Sequence, residues 1–133
     1  MKWQLALAAC GSLIAASGTA VAHHSFAMFD QQNPVVLEGV VEEYRFTNPH
    51  SFIVLKVRQQ DGSTLNWNLE GTSPSSLVRE GWSSKSIKTG DELRVKMWPL
   101  RSAAPGGGWN AENINFRDGR PVGVPAGEQR KEY

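Results

Sequence analysis

The sequence predicts an all-β domain, and two observations carry this prediction. Five segments have the composition or the alternation of β-strands and are separated by turn residues. A sixth segment, between the third and fourth strands, has the capping residues and spacing of a short helix. This order is typical of the OB-fold, so we expect a small five-stranded OB-like Greek-key barrel with one short helix between strands 3 and 4. Strand number alone would also fit a six-stranded roll or an open sandwich.

The first three strands are predicted over residues 35–46, 51–59 and 65–70. Gly39, inside the first, suggests a bulge or a tight bend. Thr47 to His50 is a predicted turn, because Pro49 disfavours the helical region for the residue before it. Asp61-Gly62 is a hairpin turn signal.

The second half of the domain begins with the helix. Ser73 is the predicted N-cap, Pro74 occupies the first helical position and Gly81 ends the helix. The fourth strand is predicted over 91–98 and the fifth over 109–116, with a Pro- and Gly-rich loop at 99–108 between them. The Asp118-Gly119 turn closes the fifth strand.

The first 22 residues have the pattern of a secretory signal peptide. Lys2 is followed by an apolar run too short to span a bilayer, and Ala20-Val21-Ala22 is an A-x-A cleavage site. A lipoprotein site at Cys10 is the alternative, but too few apolar residues precede it. We therefore expect cleavage after Ala22 and a periplasmic or secreted bacterial protein. Residues 23–34 then form an N-terminal arm, 35–120 the barrel and 121–133 a loose tail.

Composition excludes several classes of function. Cys10 is the only cysteine, so a chain cut after Ala22 would have neither a disulfide nor a cysteine nucleophile. Its 13 basic residues would balance 13 acidic ones without a basic stripe, which argues against nucleic acid as a partner. No transmembrane span is expected after cleavage. No hydrolase motif appears, so we assign no catalytic residues and expect a protein that is not an enzyme.

The expected mature N-terminus is the most specific chemical feature of the sequence. A chain that begins at His23 could chelate copper through its amine and its own imidazole, as in a histidine brace. His24 offers a second route, through the amine, a deprotonated amide and an imidazole at position two. His50, in the turn between the first two strands, could complete the site, and Met28 is a soft ligand for Cu(I). The alternatives are that His23 and His24 stay solvated and that the His50 ring caps a turn carbonyl.

The barrel rim offers a different kind of site. OB-folds bind ligands with the loops between strands 1 and 2 and between strands 4 and 5. Asn48 lies in the first of these loops, Arg101 lies in the second, and Trp109 borders the second. They could contact a small ligand or a partner peptide. The alternative is a flexible hairpin connection, with Arg101 solvated.

Seven motifs, taken together, form a recognisable set: His23-His24-Ser25-Phe26, Asn48-Pro49-His50, the Trp67 strand ending in Glu70, Ser73-Pro74, Leu77 to Trp82, Gly90-Asp91 and Pro99-Leu100-Arg101. In this order they resemble a domain-of-unknown-function family of small exported bacterial proteins, DUF family 6152. The resemblance covers nearly all of the expected mature chain, apart from the glycine run at 106–108 and the charged end. It implies a periplasmic protein, but no established activity, so no residue inherits a role from it.

These observations predict a small exported binding protein without catalytic activity. Its cofactor is unidentified, and copper held by the N-terminal histidines is the specific hypothesis. A metal-free interaction module that binds a periplasmic protein or small ligand at the rim is the alternative. A copper oxygenase is the weakest option, because about 110 residues leave little surface for a polysaccharide platform.

Overall fold

A computed structural model describes residues 24–123 of the chain, and its strands form a closed barrel. The elements are α1 (His24–Ala27), β1 (Val35–Arg45), β2 (Phe52–Arg58), β3 (Thr64–Glu70), α2 (Pro74–Arg79), β4 (Glu92–Pro99), β5 (Gly106–Gly108), a 3-10 helix (Ala111–Asn113) and β6 (Ile114–Phe116). The sheet order is β1-β2-β3-β5-β4-β6, and an additional β1–β4 pairing closes the ring.

The ring has the connectivity that the sequence predicts. β3 and β5 pair in parallel, whereas the β1–β2, β2–β3, β1–β4 and β4–β5 pairs are antiparallel. α2 lies between β3 and β4 in the chain, with Ser73 as its N-cap and Pro74 at its first position. The prediction of a small all-β barrel of the OB type is therefore confirmed. No helix within residues 24–123 is long and apolar enough to cross a bilayer.

The barrel interior is filled by alternate residues of the long strands. In β2 and β4 every second side chain points inward, as the period of two requires. Large side chains without solvent exposure include those of Ile53, Leu55, Leu69, Leu77 and Leu93. Trp82 follows α2 and is also buried, so it closes the core on that side.

The predicted fifth strand is wrong in position. Residues 109–116 contain the 3-10 helix and only a short strand, β6, which pairs with β4 outside the ring. The fifth strand of the barrel is the glycine run at 106–108, inside the segment predicted to be a loop. A Cβ on Gly107 would collide with the carbonyl oxygen of Trp98, so only a chain without side chains can lie this close to β4.

The irregularity predicted at Gly39 lies further along β1. The register between β1 and β2 shifts between Val41 and Glu43, which marks a β-bulge. Gly39 itself is needed for close approach, because a Cβ there would contact the side chain of Leu55 and the backbone of Lys56. The bend of β1 and the glycine are therefore two separate features.

Candidate functional site

The hairpin of β2 and β3 places His50 beside Glu70. The ladder continues beyond the two strands, since the Ser51 amide donates to the Thr72 carbonyl over 3.0 Å and the Gly71 amide donates to the Ser51 carbonyl over 2.8 Å. His50 and Glu70 thereby become diagonal neighbours on the same face. Nδ1 of His50 is within hydrogen-bonding distance of the Glu70 carboxylate, and the two side chains are 37% and 23% exposed.

This pair lines a small cavity, which we call the rim cavity. Its volume is about 70 Å³. That is room for a few water molecules or one coordinated ion, and it is far below the several hundred Å³ of a pocket for an organic ligand. The residues that line it are Phe26, Phe29, His50, Glu70, Gly71, Thr72, Gly108, Trp109 and Asn110.

Aromatic rings form the apolar walls of the rim cavity. Trp109 is only 2% exposed, and its indole nitrogen donates to the Leu69 carbonyl over 3.1 Å. Its ring lies directly against Gly71, where a Cβ would overlap it. Phe29 lies against Gly108 in the same way, with ring atoms 2.9 Å from where a Cβ would stand. Trp109 therefore packs in the core and lacks the exposure that a contact at the rim surface needs.

The N-terminal arm is anchored to the rim near this cavity. Phe29 is 4% exposed and forms an isolated β-bridge with Leu100. The Asp30 amide donates to the Pro99 carbonyl over 2.8 Å, and the Arg101 amide donates to the Met28 carbonyl over 2.9 Å. The segment from Met28 to Asp30 is thus paired with the start of the β4–β5 connection.

A short turn after this segment stabilises the arm. The Asp30 carboxylate accepts hydrogen bonds from the Asn33 amide group over 2.9 Å and from the Gln32 backbone over 3.2 Å. The bond from Asn33 is the main reason that the pKa of Asp30 lies below its ordinary value of 3.8, and the Arg101 charge acts in the same direction.

The predicted rim residues have different surroundings. Arg101 is exposed, and its Nε donates to the Ala27 carbonyl over 3.1 Å, so part of its guanidinium holds the arm. Asn48 is exposed in the turn before His50, and its peptide bond to Pro49 is cis. Met28 is 46% exposed, next to the anchored segment.

Of the three histidines predicted as metal ligands, the structure describes the side chain of His50 alone. His50 lines the rim cavity, together with Phe26 of α1. His24 begins α1, and its side chain lies outside the described part of the chain, as does the whole of His23. Within residues 24–123 no cluster of three or more His, Cys, Asp or Glu side chains could hold a metal ion.

Glu70 is the site residue that sequence reasoning did not connect with His50. The signal was present: in a hairpin centred on the Asp61-Gly62 turn, residues at the end of β3 return to the start of β2. The register pairs Phe52 with Glu70, which places His50 two residues further along the ladder. The exact pairing depends on turn length, and only the structure defines it.

Comparison with known proteins identifies a family. A family of unknown function, DUF6152, matches residues 9–119 of the sequence, and the chain belongs to this family. No curated protein matches the sequence.

Proposed function

We propose that this member of the DUF6152 family is a small exported protein without catalytic activity that binds copper. The proposed ligands are the amine and imidazole of a mature N-terminal His23, or the amine, amide and imidazole supplied with His24, together with His50. The observation that supports the proposal is the shared cavity: Phe26 of the arm and His50 of the β1–β2 turn line the same small space.

Distance along the chain supports this ligand set. His24 begins the short helix that also contains Phe26, and two residues of helix rise about 3 Å along its axis. His23 directly precedes His24 in the sequence. The anchor at Phe29 holds the following segment against the barrel. A metal beside His50 is therefore within reach of the start of the arm, while the barrel supplies the rigid side of the site.

The chemistry of the proposed nitrogen donors favours copper as the metal. An amine nitrogen and imidazole nitrogens suit Cu(II), which stands at the top of the affinity order for divalent first-row metals. The rim cavity, at about 70 Å³, has room for one ion and is smaller than the usual pocket for an organic substrate. This favours a carrier, sensor or donor of copper over an oxygenase.

The N-terminal chelate depends on export and on cleavage after Ala22. Mass spectrometry of the protein purified from the periplasm should give a mature chain that begins at His23. Isothermal titration of Cu(II), with glycine as a competing ligand, should then give one tight site. A mature chain whose N-terminal amine is acetylated should bind at least tenfold more weakly, about 1.4 kcal/mol, because the amine is no longer a donor in either route. Equal affinity would contradict the N-terminal chelate.

Two substitutions separate the two chelation routes. In a histidine brace, His23→Ala removes a ligand and His24→Ala has little effect on Cu(II) affinity. In the second route, the order is reversed. His50→Ala should weaken binding in either case, and electron paramagnetic resonance of the Cu(II) protein should show one nitrogen donor fewer. Met28→Leu should weaken binding of Cu(I) alone, if the exposed thioether is a ligand.

The alternative function is a metal-free interaction module. Two apolar side chains of the arm favour it, since Phe26 is 55% and Met28 is 46% exposed. A periplasmic pull-down should then lose its partner when Phe26 is changed to Ser or Arg101 to Ala. Trp109 is unsuitable for this test, because its removal would disrupt the core. Recovery of the same partner by all variants would contradict a binding site at the rim.

A further inference from the structure

We propose that Glu70 is a positioning residue for the metal site. It holds the imidazole of His50 as the tautomer with the proton on Nδ1, so that Nε2 is the nitrogen that binds Cu(II). Glu70 itself does not bind the metal. This inference rests on the proposed function and specifies how one of its ligands, His50, is oriented.

The geometry of the pair supports this assignment. The Glu70 carboxylate contacts Nδ1 of His50. An ionised carboxylate can only accept hydrogen bonds, so the proton between the two groups belongs to Nδ1. A neutral imidazole then has its lone pair on Nε2, and this is the atom left for a metal.

The backbone around Glu70 is fixed on two sides. On one side the β2–β3 ladder pairs it with Phe52. On the other, the Trp109 amide donates to the Glu70 carbonyl over 3.0 Å, and the Trp109 indole donates to the Leu69 carbonyl. A carboxylate on so constrained a strand end can define the orientation of a neighbouring ring.

A carboxylate behind the imidazole is a common arrangement in metal sites. Ligating histidines usually donate their second nitrogen to a carboxylate or carbonyl, which orients the ring and raises its basicity. Loss of such a partner typically lowers metal affinity about 10- to 100-fold. A purely structural hydrogen bond would instead change stability and leave the metal affinity of the folded protein unchanged.

The first measurement needs no metal. A two-bond ¹H–¹⁵N correlation spectrum of the metal-free mature protein at pH 8 should show His50 protonated on Nδ1. In Glu70→Ala the ring should sample both tautomers. Protonation of His50 on Nε2 in the unsubstituted protein would overturn the proposal.

The second measurement is Cu(II) affinity by competition titration. Glu70→Ala should bind about 10- to 100-fold more weakly, and Glu70→Gln should lose less, because its amide oxygen still accepts from Nδ1. Circular dichroism melts establish that both variants are folded. Glu38→Ala is the matched control: it removes a carboxylate paired with Arg94 over 2.6 Å, on a strand that does not line the rim cavity.

The outcomes separate this inference from the proposed function. No copper binding by the mature protein, or binding that is unchanged when the N-terminal amine is acetylated, would overturn the proposed function and this inference with it. Binding that depends on His50 but not on Glu70 would overturn the inference alone. A Glu70→Gln loss as large as that of His50→Ala would show that Glu70 is itself a ligand, and would also overturn it.

Discussion

Replacing Phe29 by alanine tests whether the arm is part of the folded domain. Phe29 is 4% exposed, its ring lies against Gly108, and its backbone bridges to Leu100. Phe to Ala in an enclosed site costs about 3–5 kcal/mol. For Phe29→Ala the cost is smaller, because the arm can detach from the barrel, and the protein then avoids a cavity at the position of the lost ring. We therefore expect the free energy of unfolding to fall by about 2–3 kcal/mol.

Urea denaturation followed by tryptophan fluorescence measures this loss. Hydrogen exchange locates it: the amides of Asp30 and Arg101, which bond between the arm and the rim, should lose protection, whereas that of Leu55 in the barrel should keep it. Val78→Ala is the control, since an apolar side chain of α2 that is 57% exposed should contribute less than about 0.5 kcal/mol.

The result that would refute this reasoning is specific. If Phe29→Ala unfolds within about 0.5 kcal/mol of the unsubstituted protein and keeps the protection of both amides, Phe29 does not anchor the arm. If the protein binds copper as proposed, a confirmed anchor also predicts weaker Cu(II) binding by Phe29→Ala, by at least tenfold, because the arm that carries the proposed N-terminal donors would detach from the rim. Unchanged affinity would show that the proposed copper site does not depend on docking of the arm.

Three further predictions concern the barrel. Gly107→Ala should lower the free energy of unfolding in urea by about 3 kcal/mol, because the added Cβ collides with the backbone of Trp98. Gly62→Ala should cost only about 1 kcal/mol, because Gly62 has a φ of +88° but lies in open space. Equal losses for the two variants would contradict the close packing of β5 against β4. Burial of Asp91 opposes its ionisation, but hydrogen bonds from Lys88 outweigh it, and the pKa of Asp91 lies below 3.8. A depressed pKa adds stability above pH 3.8 that is lost as pH falls, so Asp91→Asn should show a flatter acid limb in thermal melts. Ser73→Ala should lower the free energy of unfolding by about 1 kcal/mol, since Ser73 caps α2, and Ser73→Asp should retain it.

Local sequence signals were reliable where one residue type imposes the backbone. The Asp61-Gly62 turn, with Gly62 at φ +88°, and the Ser73-Pro74 start of α2 were both predicted. So was the alternation of β4, because a strand with one buried face has a period of two. In each case a single position and its neighbours contain the whole physical cause.

The prediction of the fifth strand failed because the cause of this strand is not local. Gly106 to Gly108 has no alternation and no β-branched residue, so it has the composition of a flexible loop. It is a strand because β3 and β4 offer unpaired backbone groups on either side, and because Trp98, Phe29 and Leu100 leave no room for a side chain. Long-range neighbours impose this structure, and a local pattern does not contain them.

The sequence by itself determined the all-β barrel, the helix between its third and fourth strands, and three histidines at the arm and the first turn. Only the tertiary structure decided that Phe26 and His50 share a cavity, that Trp109 is core, and that Glu70 is the partner of His50. The physical reason is distance along the chain. Turn and strand preferences act over a few residues, whereas His50 and Glu70 are 20 residues apart and meet only through the register of a hairpin.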